Sequence, residues 1–275
     1  MLRFFLMTAV AALPSVAAAD PSASGFDRPE SVVFDSARDR MIVSSLNGEF
    51  NAKDGNGYLS LLDGQGQLQQ KSWITGLDAP KGMAISGDLL FVADVDALKV
   101  IDLSAGSLVQ SYPGDGAVFL NDVTVVGDAV YVTDLLENAI WRLDGGVFAP
   151  WLKSDDLSNP NGIAFDGQQL LVGSWGKGLQ ADFTTKAPGD LLAVDLDSKK
   201  ITVVAEAVGN IDGIALAQDS IFVSDWVKGT VIRITSEGPE VVAEFPAGVA
   251  DIGTDGENLL LPHMMQGSVE VLPLP

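Results

Sequence analysis

Apolar residues in this chain fall into short alternating runs separated by Gly, Asp and Asn, and no stretch sustains a helical period. Six runs open alike, with a small or apolar lead-in, one polar residue, then a strand-like apolar stretch. They are Pro29-Glu30-Ser31-Val32-Val33-Phe34, Pro80-Lys81-Gly82-Met83-Ala84-Ile85, Leu120-Asn121-Asp122-Val123-Thr124-Val125, Pro160-Asn161-Gly162-Ile163-Ala164-Phe165, Ile211-Asp212-Gly213-Ile214-Ala215-Leu216 and, more weakly, Ala250-Asp251-Ile252-Gly253-Thr254. Their polar members stand 51, 40, 40, 51 and 39 residues apart.

A second apolar run follows each marker at nearly constant distance, ending at Ser45, Asp94, Asp134, Ser174, Asp225 and His263. Third runs follow, for example Gly57 to Asp63 and Ala139 to Asp144, and fourth runs are visible in five of the six units. Four strands per unit at a period of about 40 to 50 residues predict an all-β fold: one six-bladed β-propeller of four-stranded blades. The sixth unit stops after its third run, so residues around Ala23 to Arg28 are expected to close the ring as an N-terminal strand. Two loops between second and third strands are long, Leu46 to Asn56 and Trp175 to Gly189; rising over the same face as the markers, they are candidate walls or lids over the axis, or else tolerated insertions.

Residues 1–19 read as a secretory signal peptide: Arg3, an apolar run from Phe4 to Leu13, and Ala17-Ala18-Ala19 before Asp20. The propeller domain is then 20–275, and the expected location is the periplasm. Nothing after the leader reaches the roughly 20 apolar residues of a spanning helix. Removing the leader takes the formal charge from −21 to −22, since one arginine and no acid is lost. So acidic a surface repels nucleic acid and anionic lipid and favours hard cations. With no cysteine, disulfides and thiolate metal sites are excluded.

If each marker opens an innermost strand, all six side chains point at one axis. Glu30, Asn121, Asn161 and Asp212 then bring two carboxylates and two amide oxygens together, a hard-donor set suited to a divalent cation. Calcium is the expected ion, with magnesium or another divalent ion as alternatives. Lys81 at the second marker either reaches up to an anionic part of a substrate or pairs with Glu30 or Asp251 and takes the place of the ion. Trp175 and Trp226, just beyond equivalent strand ends, are candidate aromatic walls for a small substrate, or else packing under the long fourth-blade loop. Asp94, Asp134 and Asp225 recur at second-strand ends and read as turn caps.

The markers Arg28-Pro29-Glu30, Leu120-Asn121-Asp122-Val123, Pro160-Asn161-Gly162-Ile163 and Ile211-Asp212-Gly213-Ile214 resemble those of the regucalcin (senescence marker protein) and gluconolactonase superfamily. Paraoxonase and diisopropylfluorophosphatase are more distant relatives. The resemblance spans the mature chain. It implies that Glu30, Asn121, Asn161 and Asp212 ligate a central cation over which a lactone or related ester is hydrolysed, with Asp212 also the base or nucleophile. Asp251 and His263, the single histidine, are the rival catalytic groups. The expected function is thus an exported, metal-dependent lactonase or esterase acting on a small molecule. The competing expectation is a non-enzymatic propeller that binds a partner protein, peptide or saccharide on the same face.

Overall fold

The computed structural model describes residues 23–275, and the expected leader, residues 1–19, lies outside that range. Among the described residues, six antiparallel four-stranded sheets follow one another: 29–77, 80–113, 120–153, 160–209, 211–244, and 253–273 completed by Ala23–Ser24. The fold is a six-bladed β-propeller, all-β apart from a single 3-10 turn at Asp155–Leu157. In the first five blades the strands run in chain order from axis to rim. In the sixth, Ala23 pairs with Val269 and Ser24 with Ser268, so the closing strand is shorter than the Ala23 to Arg28 segment expected.

The core consists of apolar layers between neighbouring blades, and no single centre exists. One layer joins Leu98 and Val100 of blade two to Val123 and Val132 of blade three; another joins Phe26 and Leu260 of blade six to Val32 and Met41 of blade one. Sandwiched second strands such as Ala129–Asp134 are buried on both faces, which is why they read as continuous apolar runs. Rim strands such as Ser107–Pro113 are largely exposed, which explains their fainter pattern. Among the described residues no helix is long and apolar enough to cross a membrane.

One irregularity matters for the site. In blades one to five the pairing of first and second strands slips at the marker, between Pro29 and Val32, Pro80 and Met83, Leu120 and Val123, Pro160 and Ile163, and Ile211 and Ile214. Two residues on the inner strand face one on its partner, a β-bulge, and a bulge re-aims a side chain that regular pleating would turn into a blade face. The N–H this disturbs is satisfied locally in three blades. Ser31 donates to Ser44 Oγ at 3.0 Å, Asp122 to Thr133 Oγ1 at 3.0 Å and Gly213 to Ser224 Oγ at 2.8 Å.

Candidate metal centre and active site

The five bulges turn Glu30, Lys81, Asn121, Asn161 and Asp212 into one cavity of about 480 Å³ on the axis. Each is at most 4% exposed. The sixth marker corrects the sequence reading by one residue. In blades one, three, four and five the residue after the second strand donates its N–H to the carbonyl two positions before the marker: Leu46 to Arg28, Leu135 to Phe119, Trp175 to Asn159, Trp226 to Asn210. In blade six Met264 donates to Gly248, so the equivalent of a marker is Ala250. A second repeat agrees: Thr133 Oγ1 donates to Asn161 O at 2.5 Å and Ser224 Oγ to Ala250 O at 2.7 Å. Asp251 therefore belongs to the next layer along the axis, where it bridges Ser31 and accepts from Ser31 Oγ at 2.5 Å.

That next layer is crowded. A Cβ on Gly82 would lie 2.5 Å from Asp122 Cα, and one on Gly213 would lie 2.6 Å from Asp251 Cα. Glycine after the marker in these blades lets the inner strands approach. Asp122 Oδ2 accepts from Ile163 N at 2.7 Å, tying blade three to blade four.

Four oxygens in the upper layer are left without partners. Glu30 Oε2, Asn121 Oδ1, Asn161 Oδ1 and Asp212 Oδ1 are buried and make no hydrogen bond. These are the same four side chains singled out as metal ligands from the sequence. A buried oxygen without a donor costs roughly 1–3 kcal/mol, so four in one cavity mark a place built for something that accepts lone pairs. The charge balance agrees. Glu30, Asp122, Asp212 and Asp251 are all buried here against one amine, that of Lys81. Burial, with the charges of Asp212 and Asp251, pushes the Glu30 carboxyl well above its usual range. Burial and then Asp251 push Asp212 up, while an Asn161 N–H opposes the shift. Asp122 is likewise pushed up, and Asp251 rises to about 7, in both cases mainly through burial. Carboxylates this reluctant to ionise together are relieved by a hard cation. Among the described residues no three His, Cys, Asp or Glu side chains group as a metal site, so a cation held here would need the two amide oxygens as well as Glu30 and Asp212.

Lys81 does not fill the gap. Its Nζ donates to Ala79 O at 2.9 Å and lies 4.7 Å from the centre of the Phe119 ring. No ion pair joins it to Glu30 or Asp251 among the described residues. Burial lowers its pKa to about 8, against the raising influence of Glu30 and Asp94.

Trp175 and Trp226 both line the cavity, their ring centres 6.1 Å apart. Trp175 also packs beneath the fourth-blade loop, its Nε1 donating to Phe183 O at 2.9 Å, so both uses expected of it coexist. The two long loops reach the mouth, bringing Phe50 and Phe183. His263 does not join them. It is buried beside Phe245, with Nε2 3.3 Å from Glu270, and burial lowers its pKa to about 4. Asp94 and Asp134 accept backbone N–H groups from Asp78 and Ala79, and from Val118 and Phe119; Asp225 accepts from Val227 and Lys228. These are the turn caps expected. The loops expected as walls or lids supply Phe50 and Phe183, whereas sequence reasoning missed Phe119, Leu135 and Asn210 as cavity wall. For Leu135 a signal existed: Leu46, Val95, Leu135, Trp175, Trp226 and Met264 all follow second-strand ends and are apolar in every blade.

No protein-family model matches the sequence, and no curated protein matches it. Solved structures do. A structural-genomics target provisionally described as a gluconolactonase is 18% identical, with 95% of each chain covered and a TM-score of 0.66. A streptogramin B lyase is 13% identical over 91% of this chain and 94% of its own, with a TM-score of 0.61. A chain of a nidogen–laminin complex is 14% identical over 86% and 89%, with a TM-score of 0.67. At these identities the likeness establishes the fold alone.

Proposed function

We propose that this protein is an exported, metal-dependent hydrolase that opens a lactone or related ester on the propeller axis. The observation that carries the reading is the set of four buried, partnerless oxygens on Glu30, Asn121, Asn161 and Asp212, one from each of four blades. The gluconolactonase-like neighbour is consistent with it.

A divalent cation held by those oxygens would supply a Lewis acid for the ester carbonyl. The rest falls to the chain's own residues. Asp212, whose proton affinity is raised by burial and by Asp251, is the group to take a proton from the attacking water. It returns that proton to the alkoxide that leaves as the ring C–O bond breaks, giving a hydroxy acid. Lys81, charged below about pH 8, keeps donors free beyond its bond to Ala79 and can hold the new carboxylate. Phe183 and Phe50, from the two long loops, line the cavity and add apolar surface around the bound substrate.

The test is metal content of the purified protein together with turnover of a lactone panel before and after chelation. Bound calcium, or another divalent ion, with chelator-sensitive turnover is the expected result. A metal-free protein that neither binds calcium nor hydrolyses any lactone would overturn the proposal and return the face to a partner-binding role.

A further inference from the structure

Above the oxygen cluster the cavity changes character. Its walls there are Phe50, Phe119, Leu135, Trp175, Phe183 and Trp226. They form a connected set, with Phe183 5.7 Å from Phe119 and 6.4 Å from Phe50 between ring centres.

Several of the polar groups among these walls are already committed, although Lys81 keeps free donors and, among the described residues, Asn210 Oδ1 and Trp226 Nε1 make no hydrogen bond. Trp175 Nε1 is given to Phe183 O. Asn210 Nδ2 is shared between Trp175 O at 2.6 Å and Thr185 Oγ1 at 3.1 Å. Thr184 Oγ1 donates to Asp182 Oδ1 at 2.6 Å. A polyol entering this space would bury hydroxyls against ring faces with few donors or acceptors to meet them, which is costly.

The roof is built. Phe183 sits at φ 62°, in the left-handed region where a bulky side chain is rare. Bonds from Gln180 N to Thr184 O at 2.8 Å and from Phe183 N to Gln180 O at 3.0 Å hold it there. Such strain persists where the surroundings impose it, and here it delivers an apolar ring to the mouth.

Building on the hydrolase reading, we propose that the substrate is a lactone or ester with an apolar, ring-sized body, and that polyhydroxylated sugar lactones are excluded. The reacting carbonyl lies among the oxygens of Glu30, Asn121, Asn161 and Asp212, and the body lies between Trp175 and Trp226 on one side and Phe119 and Phe183 on the other.

The experiment pairs γ-phenyl-γ-butyrolactone with glucono-1,5-lactone in calcium. Calorimetry with 2-phenylcyclopentanone, a ketone that cannot be hydrolysed, measures occupancy separately. We expect kcat/KM for the phenyl lactone to exceed that for the sugar lactone by about tenfold or more. Ketone affinity should fall about tenfold in Trp226→Ala, with Phe183→Ala as the second variant should the first not fold. Preference for gluconolactone overturns this substrate class and leaves the hydrolase reading standing. Turnover of neither lactone, with ketone binding that still depends on Trp226 or Phe183, supports the apolar occupant and removes the hydrolase. Absence of ketone binding, or binding indifferent to both variants, overturns the inference.

Discussion

Replacing Asn121 by leucine separates a structural amide from a ligand by the sign of its effect. Asn121 is 4% exposed and its Oδ1 has no partner. In chelator, a group of similar size without that oxygen removes an unpaid desolvation cost of about 1–3 kcal/mol. For a chain of this length that is a rise in Tm of about 2–4 °C per kcal/mol. Calcium should reverse the order. At a hundredfold excess over Kd, a ligand that binds only the native state adds about 2.7 kcal/mol, which is about 5–11 °C for the wild type. The variant, missing one donor of four, should gain little of this. Differential scanning fluorimetry with EDTA and with a calcium titration measures both. The reasoning fails if Asn121→Leu melts well below wild type in EDTA yet keeps its calcium response, for then the amide is holding the fold.

The titrating groups give further expectations, all in metal-free buffer. Lys81 has a folded pKa of about 8 against 10.5 for its ordinary value, so the unfolded chain binds more protons between the two and stability should rise with pH across that window. Lys81→Met should flatten this rise and be the more stable protein at pH 7, as read from urea midpoints at pH 7 and 10. Asp251 is shifted the other way, from 3.8 to about 7, so the folded chain binds the extra proton and stability is lost as pH climbs through that range. Asp251→Asn keeps the acceptor for Ser31 and should reduce the loss, in melts at pH 5 and 8, the remainder belonging to Glu30, Asp122 and Asp212, which are raised in the same cluster. His263 lies off the cavity, so His263→Gln should cost far less lactone turnover than the about 10²-fold or more that a general base commands; a loss of that size would restore it as a catalytic candidate.

The sequence made blade number, strand order and strand ends legible, because a propeller repeats one unit and each second strand is buried on both faces. The predicted second-strand ends at Asp94 and His263 coincide with those observed. The sixth marker slipped because nothing in Ala250-Asp251-Ile252 resembles the Pro, Asn and Gly pattern of the other blades, and a polar residue drew the assignment one place along. Only backbone bonds, such as Met264 to Gly248, fix that register. The oxygen set on the axis was legible because bulges recur at the markers. The two long loops were legible as candidate walls from their length and place, but the rings they bring were not, since Phe50 and Phe183 lie in segments with no periodicity and turns such as Gln180 to Thr184 decide where a ring is laid.

The two-residue strand at Ala23–Ser24 has a practical corollary. It forms the outer edge of blade six and pairs with residues close to the far end of the polypeptide. Without Ala23 and Ser24 the strand Ser268–Pro273 would present unpaired backbone groups at those two positions, a template for pairing with the edge of a second copy.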